Sequence, residues 1–433
     1  MTKLLTESII DTAYDNHITF MHKVANKTKY YNTALNETSL VDISQRVYNE
    51  TSKMDLWDAE EGKLILSMLE EGRFIPAGSI LCGIGNNDYK SSLSNCYLGK
   101  IENDSIEAIF DANKKLARTY SYRGGEGMDL TVLRPSKSPV DNAAITSSGA
   151  VSFMPLFNST TVIIGQENRR GALILTLDIR HPDALRFIWC KADSERIFGK
   201  DNLTGHVQNV DGANISLKVT EAFMQAVVND KPWDFIFPCF NKLTGTVHVC
   251  NDGSKYIDLN KDVYRIIKNH ITATRDHFYI EFKDVKYRSN ILLENGHILF
   301  ENEIPQSGKI EFVIGTINDD VFKPTSEVYN TLWDGDYDKW QLEYELPVEV
   351  YATVEAKDVL NQIAEASHKI GDPGILFIDT VQRLTPGTAI DSDRLKPMGM
   401  NPCGEQPLPW NGNCLLGAQV WYKYVSAPYT EYA

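Results

Sequence analysis

Apolar residues in this chain follow two spacings, and the chain switches between them several times. Over 58–73, Leu64, Ile65, Met68 and Leu69 form one helical stripe, with Asp58 and Glu61 as a cap-like start and Gly72 and Pro76 as a stop. Residues 1–75 as a whole are expected to form an N-terminal helical domain. Leu93–Leu98 then reads as a short buried strand containing Cys96. Asp104-Ser105 caps a helix carrying Ile106, Ile109, Phe110 and Leu116, and Ser147–Phe157 opens another. Leu173–Ile179 and Asn214–Val219 read as strands, and Thr220 caps a helix with Phe223, Met224 and Val227. Strands alternating with helix-length crossovers predict a mostly parallel α/β sheet or barrel.

The alternation breaks over 241–325. Asn295-Gly296 between Ile291–Glu294 and His297–Phe300 is the strongest hairpin signal in the chain, because Asn-Gly accepts the positive φ angles of a type I′ turn. Ile310–Ile317 reads as a further strand, so this block is expected to be a β-rich insertion into a domain made of 76–240 and 326–433. Beyond it, Val359, Ile363, Ala366 and Ile370 stripe a helix stopped by Gly371 and Pro373, and Ile375–Asp379 reads as a buried strand.

Composition narrows the chemistry. The net charge of −15 argues against a general nucleic-acid binder, which needs basic surface to neutralise phosphates. No apolar run reaches membrane-spanning length, which points to the cytosol. The seven cysteines are too scattered for a disulfide scaffold, and with no Cys-x-x-Cys pair no metal site is assigned. Cys239 and Cys250 share the spacing of Cys403 and Cys414, and for them a structural role is expected. Gly124-Gly125-Glu126-Gly127 and Arg169-Arg170 are, by themselves, ordinary turn and loop signals.

The densest signal is Asn401-Pro402-Cys403-Gly404-Glu405-Gln406-Pro407-Leu408, with Cys414 shortly after it. Proline and glycine keep the segment out of a helix, and in an extended segment Asn401, Cys403 and Glu405 share one face. A thiol that can carry a radical, a carboxylate that can take a proton and an amide that can orient a hydroxyl suit one kind of chemistry. The alternative is a turn with a buried cysteine.

This stretch resembles the finger loop of the ribonucleotide reductase catalytic subunit, whose Asn-x-Cys-x-Glu is present as Asn401, Cys403 and Glu405. The resemblance covers most of 55–240 and 326–433. It implies an α/β barrel of ten strands in two halves around a central finger loop. This chain is expected to hold the helical region, the first half-barrel and the finger loop, with a second polypeptide supplying the rest or the chain being a fragment.

The implied reaction reduces a ribonucleotide, expected as the diphosphate, to the 2′-deoxyribonucleotide. Cys403 would act as the thiyl radical, Glu405 as the base and Asn401 as the sugar ligand, while Cys96 and Cys414 form the redox disulfide. Ser79, Ser94 and Asn95 would join Asn401 in holding substrate. The Ala117–Leu133 segment would shape an allosteric site. There Asp104 and Arg134 would hold a deoxynucleotide or ATP effector, and Arg169 and Arg170 would relay its identity. A dithiol reductant such as thioredoxin and a dimeric assembly are also implied. Ala117–Gly125 and Asn401–Leu408 look most like the adenosylcobalamin-dependent class. The alternatives are the class whose radical comes from a separate metal-containing subunit, and a non-catalytic nucleotide-binding piece.

Overall fold

The computed structural model describes residues 30–425 except 33, 88–89, 141, 165–170, 200–208, 240–242, 250–254, 259–277, 283–284, 290, 293–296, 300–307, 319–320 and 325–331, with little beyond backbone for the strands between 243 and 324. Two capped helices lead. In α1 (Leu40–Ser52) Ser39 and Asp42 form a reciprocal capping box, and in α2 (Ala59–Glu70) Asp58 and Glu61 form another. The predicted stop is present, since Gly72 takes φ +64°. Ile43, Val47 and Leu69 pack with Leu81 of the short helix α3 (Gly78–Gly83) in a small core of their own, while Leu64 faces outward.

The main body is a six-stranded sheet. Its strands are β1 (Cys96–Gly99), β2 (Gly125–Asp129), β3 (Leu173–Asp178), β4 (Ala213–Val219) and β5 (Gly374–Phe377), all parallel, plus a short final strand, Asn413–Cys414, antiparallel to β1. Spatial order runs from β5 through β4, β3, β2 and β1 to Asn413–Cys414. Helices α4 (Ile106–Ser121), α5 (Met154–Ile163) and α6 (Ala184–Trp189) lie between successive strands in the chain, as α/β crossovers require. All six residues of β3 are buried, because both faces of the sheet are covered. Helices α7 (Glu221–Val228) and α8 (Ala356–Ile370) complete the helical layer, with Thr220 and Gly371 as their predicted caps.

Three expectations need correcting. The strand around Cys96 starts at Cys96, and Leu93 is exposed. In α4 the buried face is Ala108, Ile109, Ala112, Leu116 and Tyr120, and Ile106 and Phe110 point outward. The stretch expected as a buried strand over 375–379 is an edge strand: Leu376 is buried but Ile375 and Phe377 are 41% and 46% exposed, and Ile378 already begins a helix. An edge strand has one neighbour only, so alternate side chains lose their cover.

Between 243 and 324 eight strands form an antiparallel sheet separate from the main one. Ile291–Leu292 pairs with His297–Leu299, flanking the predicted hairpin turn, whose Asn295 and Gly296 lie outside the described residues. The chain departs through Pro232–Pro238 and returns through Val348–Glu355, which pair antiparallel, and the Cys239 amide donates to the Pro347 carbonyl at 3.0 Å. Before returning, Trp333, Tyr337 and Trp340 pack edge-on into the main core, where Trp333 Nε1 donates to the Val132 carbonyl. Among the described residues no helix is long and apolar enough to cross a membrane.

Candidate active site

The signature segment is the tip of a small hairpin rather than an extended run. Gly399–Met400 pairs antiparallel with Pro407–Leu408, and the Asn401 amide donates to the Gln406 carbonyl at 3.0 Å, which leaves Pro402–Glu405 to turn the corner. Pro402 supplies the fixed φ of a turn's second residue, the Gly404 amide donates to the Asn401 carbonyl at 3.0 Å, and Gly404 takes φ +78°. The one-face expectation is therefore wrong in its geometry. Asn401 is wholly buried while Cys403 and Glu405 are exposed. The turn nevertheless folds Glu405 back, so that Asn401 Nδ2 donates to Glu405 Oε1 at 2.6 Å while Asn401 Oδ1 accepts from the Gln406 amide at 2.9 Å.

Two further sulfurs converge on this amide and carboxylate. Cys96 on β1 and Cys414 on the antiparallel final strand are direct Cα partners, so register alone places their side chains beside each other. Both are thiols. The two sulfurs and a Glu405 carboxylate oxygen lie within 4.8 Å of one another, and Asn401 Nδ2 is 4.0 Å from Cys414 Sγ. Burial pushes the Cys96 thiol up to about 11, with its contact to Asn401 opposing, and burial also raises Cys414. At neutral pH both sulfurs therefore hold their protons, the state from which a thiol can donate one.

The hairpin is seated on the sheet by absent side chains. A Cβ on Gly127 would lie 1.8 Å from the Met400 carbonyl oxygen, and one on Gly125 would lie 2.8 Å from Pro402 Cγ. Residues two apart on a strand share a face, so these glycines form a smooth track on β2 under the hairpin. Gly125 and Gly127, part of the cluster expected to shape an effector site, also admit the finger backbone. Asn214 on β4 adds a hydrogen bond from Nδ2 to the Pro402 carbonyl at 3.1 Å. At the hairpin's entry the buried Lys218 Nζ lies 3.0 Å from Asp129 Oδ2 and 3.5 Å from the Met398 carbonyl, and Lys396 pairs with Asp336 at 2.5 Å. Sequence reading missed Asn214 and Lys218. The readable signal was the two-residue glycine spacing inside a strand, which marks a close backbone approach.

The family model for the ribonucleotide reductase barrel domain matches residues 94–280 and 316–432. The chain belongs to this family. Relatives include the ribonucleoside-diphosphate reductase subunit alpha of Helicobacter pylori, 28% identical over 53% of this chain and 30% of the relative. The vitamin B12-dependent ribonucleoside-diphosphate reductase of Thermoplasma acidophilum is 32% identical over 39% of this chain and 20% of its own length. The protein of the same name from Mycobacterium tuberculosis is 23% identical over 81% of this chain and 33% of the relative. The matched region thus spans between 20% and 33% of these relatives.

In this reductase barrel the remaining expected residues fall in different places. Asp104 and Arg134 are brought together as an ion pair on the wall of a cavity of about 450 Å³, also lined by Ser105, Thr146, Ser147 and Phe153. Arg134 Nη1 donates to the Pro139 carbonyl at 3.0 Å. Asp183 braces this wall by accepting from the amides of Ser136 and Ala150 at 3.2 and 2.9 Å. Arg169 and Arg170 lie outside the described residues, as does Cys250. Ser94 Oγ reaches Asn413 Oδ1 at 3.3 Å and the Asn95 amide donates to the Cys414 carbonyl at 3.3 Å, so both border the thiol pair. The Asn95 side-chain oxygen is buried with no hydrogen-bond partner among the described residues. Ser79 is buried in the first turn of α3, on the N-terminal helical side.

Proposed function

We propose that the hairpin and thiol pair reduce ribonucleotides to 2′-deoxyribonucleotides, with the diphosphate as substrate. The observation that carries this reading is the convergence of two protonated thiols, Cys96 and Cys414, on a carboxylate, Glu405, held by the Asn401 amide at 2.6 Å. Cys403, exposed on the same turn, abstracts the 3′-hydrogen as a thiyl radical while Glu405 takes the 3′-hydroxyl proton. Cys96 then protonates the departing 2′-hydroxyl, which leaves as water. The pair supplies two electrons in forming the Cys96–Cys414 disulfide and its second thiol hydrogen goes to C2′, Glu405 returns the proton to the 3′-oxygen, Cys403 returns the 3′-hydrogen, and a dithiol such as thioredoxin resets the pair by exchange. Asn401 orients the base throughout, and Ser94 and Asn95 border the substrate.

Two relatives carry vitamin B12 dependence in their names, which supports adenosylcobalamin as the radical source for Cys403 here too. The exposed sulfur on the hairpin turn fits a donor that approaches from outside the sheet. Asp104 and Arg134 are proposed to hold a nucleotide effector in their shared cavity, with Arg169 and Arg170 relaying its identity. Ile106 and Phe110 on α4, with Val162 and Ile163 on α5, are exposed apolar residues on adjacent helices and suit the proposed dimer. The exposed edge β5 suits further strands of the ten-stranded barrel, proposed to come from a second chain or a longer polypeptide. The block over 241–325, which departs and returns beside Cys239, is proposed to be an insertion.

The test is ribonucleoside-diphosphate reduction with adenosylcobalamin and dithiothreitol, by the chain alone and co-expressed with a second-half fragment. Turnover is expected in the completed assembly and abolished by Cys403→Ser, with nucleotide binding retained. Deoxynucleotide formed by that variant above a no-enzyme control removes Cys403 from its role.

A further inference from the structure

Cys96, Cys414 and Glu405 also make a metal-donor set. Zinc takes thiolate sulfur at about 2.3 Å and carboxylate oxygen at about 2.0–2.2 Å, so donors around one tetrahedral ion stand roughly 3.3–3.8 Å apart. The three donor atoms here already lie within 4.8 Å of one another, which leaves a closure of at most about 1.5 Å to reach that geometry. Strand register fixes the two cysteines against each other. The Asn401 amide holds one oxygen of Glu405 at 2.6 Å, the kind of outer contact that orients a ligating carboxylate. Glu405 is exposed and Cys414 half-buried, so the group is open on one side, where a water completes four-coordination. Two sulfurs and one oxygen select a thiophilic cation over magnesium or calcium.

We propose that the reduced Cys96–Cys414–Glu405 group binds one zinc-group divalent cation, and that the bound ion blocks oxidation of the thiol pair. On binding, each thiol releases its proton to solvent and gives a sulfur lone pair to the ion. Disulfide formation takes two electrons and two protons from the same pair, so the metal-bound and oxidised states exclude each other. Only the regulatory consequence rests on the reductase reading. Ion binding depends on the three side chains whether or not the chain turns over ribonucleotides.

The experiment titrates the reduced 433-residue chain with cadmium and follows thiolate-to-cadmium charge-transfer absorption in the ultraviolet. One saturating equivalent is expected to require both cysteines. Cys96→Ser and Cys414→Ser should abolish it, Glu405→Gln should weaken it by at least about tenfold, as loss of even an outer-shell partner does, and Cys403→Ser should leave it in place. Circular dichroism on each variant separates lost binding from lost folding. Wild type oxidised with diamide, which accepts the two electrons and two protons, removes both thiols without any substitution and should lose the signal. Preloaded zinc should slow the diamide-driven Cys96–Cys414 disulfide, read by mass mapping, relative to the metal-free chain. A signal that survives oxidation, persists in folded Cys96→Ser and Cys414→Ser, or follows Cys403 or Cys239 overturns the proposal. A chain that reduces ribonucleotides but binds no cadmium would sink this site and leave the reductase reading standing, and the reverse result would do the opposite.

Discussion

Gly127→Ala tests whether the finger hairpin's seat on the sheet matters for function. The added Cβ would stand 1.8 Å from the Met400 carbonyl oxygen, 2.9 Å from its carbon and 3.0 Å from Ile174 Cγ2. A carbon-to-oxygen contact relaxes only near 3.3 Å, so the hairpin must lift by roughly 1.5 Å, because the obstacle is backbone and cannot rotate away. That lift carries Asn401 and Glu405 from the thiol pair, which is pinned by its own strand register. Misplacement by about 1 Å costs on the order of a hundredfold in rate, and overpacking costs about 1–3 kcal/mol in stability. In a reconstituted ribonucleotide reduction assay, kcat for Gly127→Ala is expected to fall at least about a hundredfold, with nucleotide binding at the proposed Asp104–Arg134 effector site unchanged. Gly125→Ala meets Pro402 Cγ at 2.8 Å, Ala172 Cβ at 3.1 Å and the Ala172 carbonyl oxygen at 3.3 Å, each a smaller overlap than the one at Gly127, and should cost less. Gly127→Ala turnover within tenfold of wild type, or a larger loss in Gly125→Ala, would refute the seating argument.

Other measurements follow from the same geometry. Asn401→Asp replaces the amide donor facing Glu405 Oε1 with a second carboxylate, so urea unfolding should show a loss of about 1–3 kcal/mol; an unchanged midpoint would count against the contact. Burial raises the Cys96 thiol from 9.0 to about 11, so its iodoacetamide labelling at neutral pH should run about a hundredfold slower than that of an unstructured cysteine and rise with pH toward 11. Fast labelling near neutrality would remove the protonated-thiol argument. Glu126, buried with one oxygen lacking a hydrogen-bond partner among the described residues, is raised by burial from 4.5 to about 7. Its folded pKa exceeds the unfolded one, so its contribution to stability is fully present below about pH 4.5 and lost as pH rises through about 7, at most about 3 kcal/mol. Glu126→Gln should flatten the urea-unfolding profile across that window, and an unaltered slope would contradict the burial effect.

Where local chemistry decides structure, the sequence was sufficient. Capping pairs at Asp58/Glu61 and Thr220, the stop at Gly371 and the apolar runs of β3 and β4 specify their elements through contacts within a few residues. The strand–helix alternation then leaves a mostly parallel sheet as the simplest way to bury those runs. The dense Asn401–Leu408 motif marked the segment proposed to be reactive, because so few positions carry so much functional chemistry. Outward-facing Ile106 and Phe110 and the half-exposed β5 were misread, since a period shows which residues share a face but not whether anything covers that face.

Only the tertiary structure decided how the site is put together. The pairing of Cys96 with Cys414 joins strands more than 300 residues apart, and their neighbourhood is set by register, which no local signal carries. The extended reading of Asn401, Cys403 and Glu405 failed because Pro402 and Gly404 build a hydrogen-bonded turn that buries the first residue and brings the last back to it. Gly125 and Gly127 look in the sequence like a phosphate loop or a turn. What makes them a seat is the Met400 carbonyl, delivered against β2 from a hairpin 270 residues further along the chain.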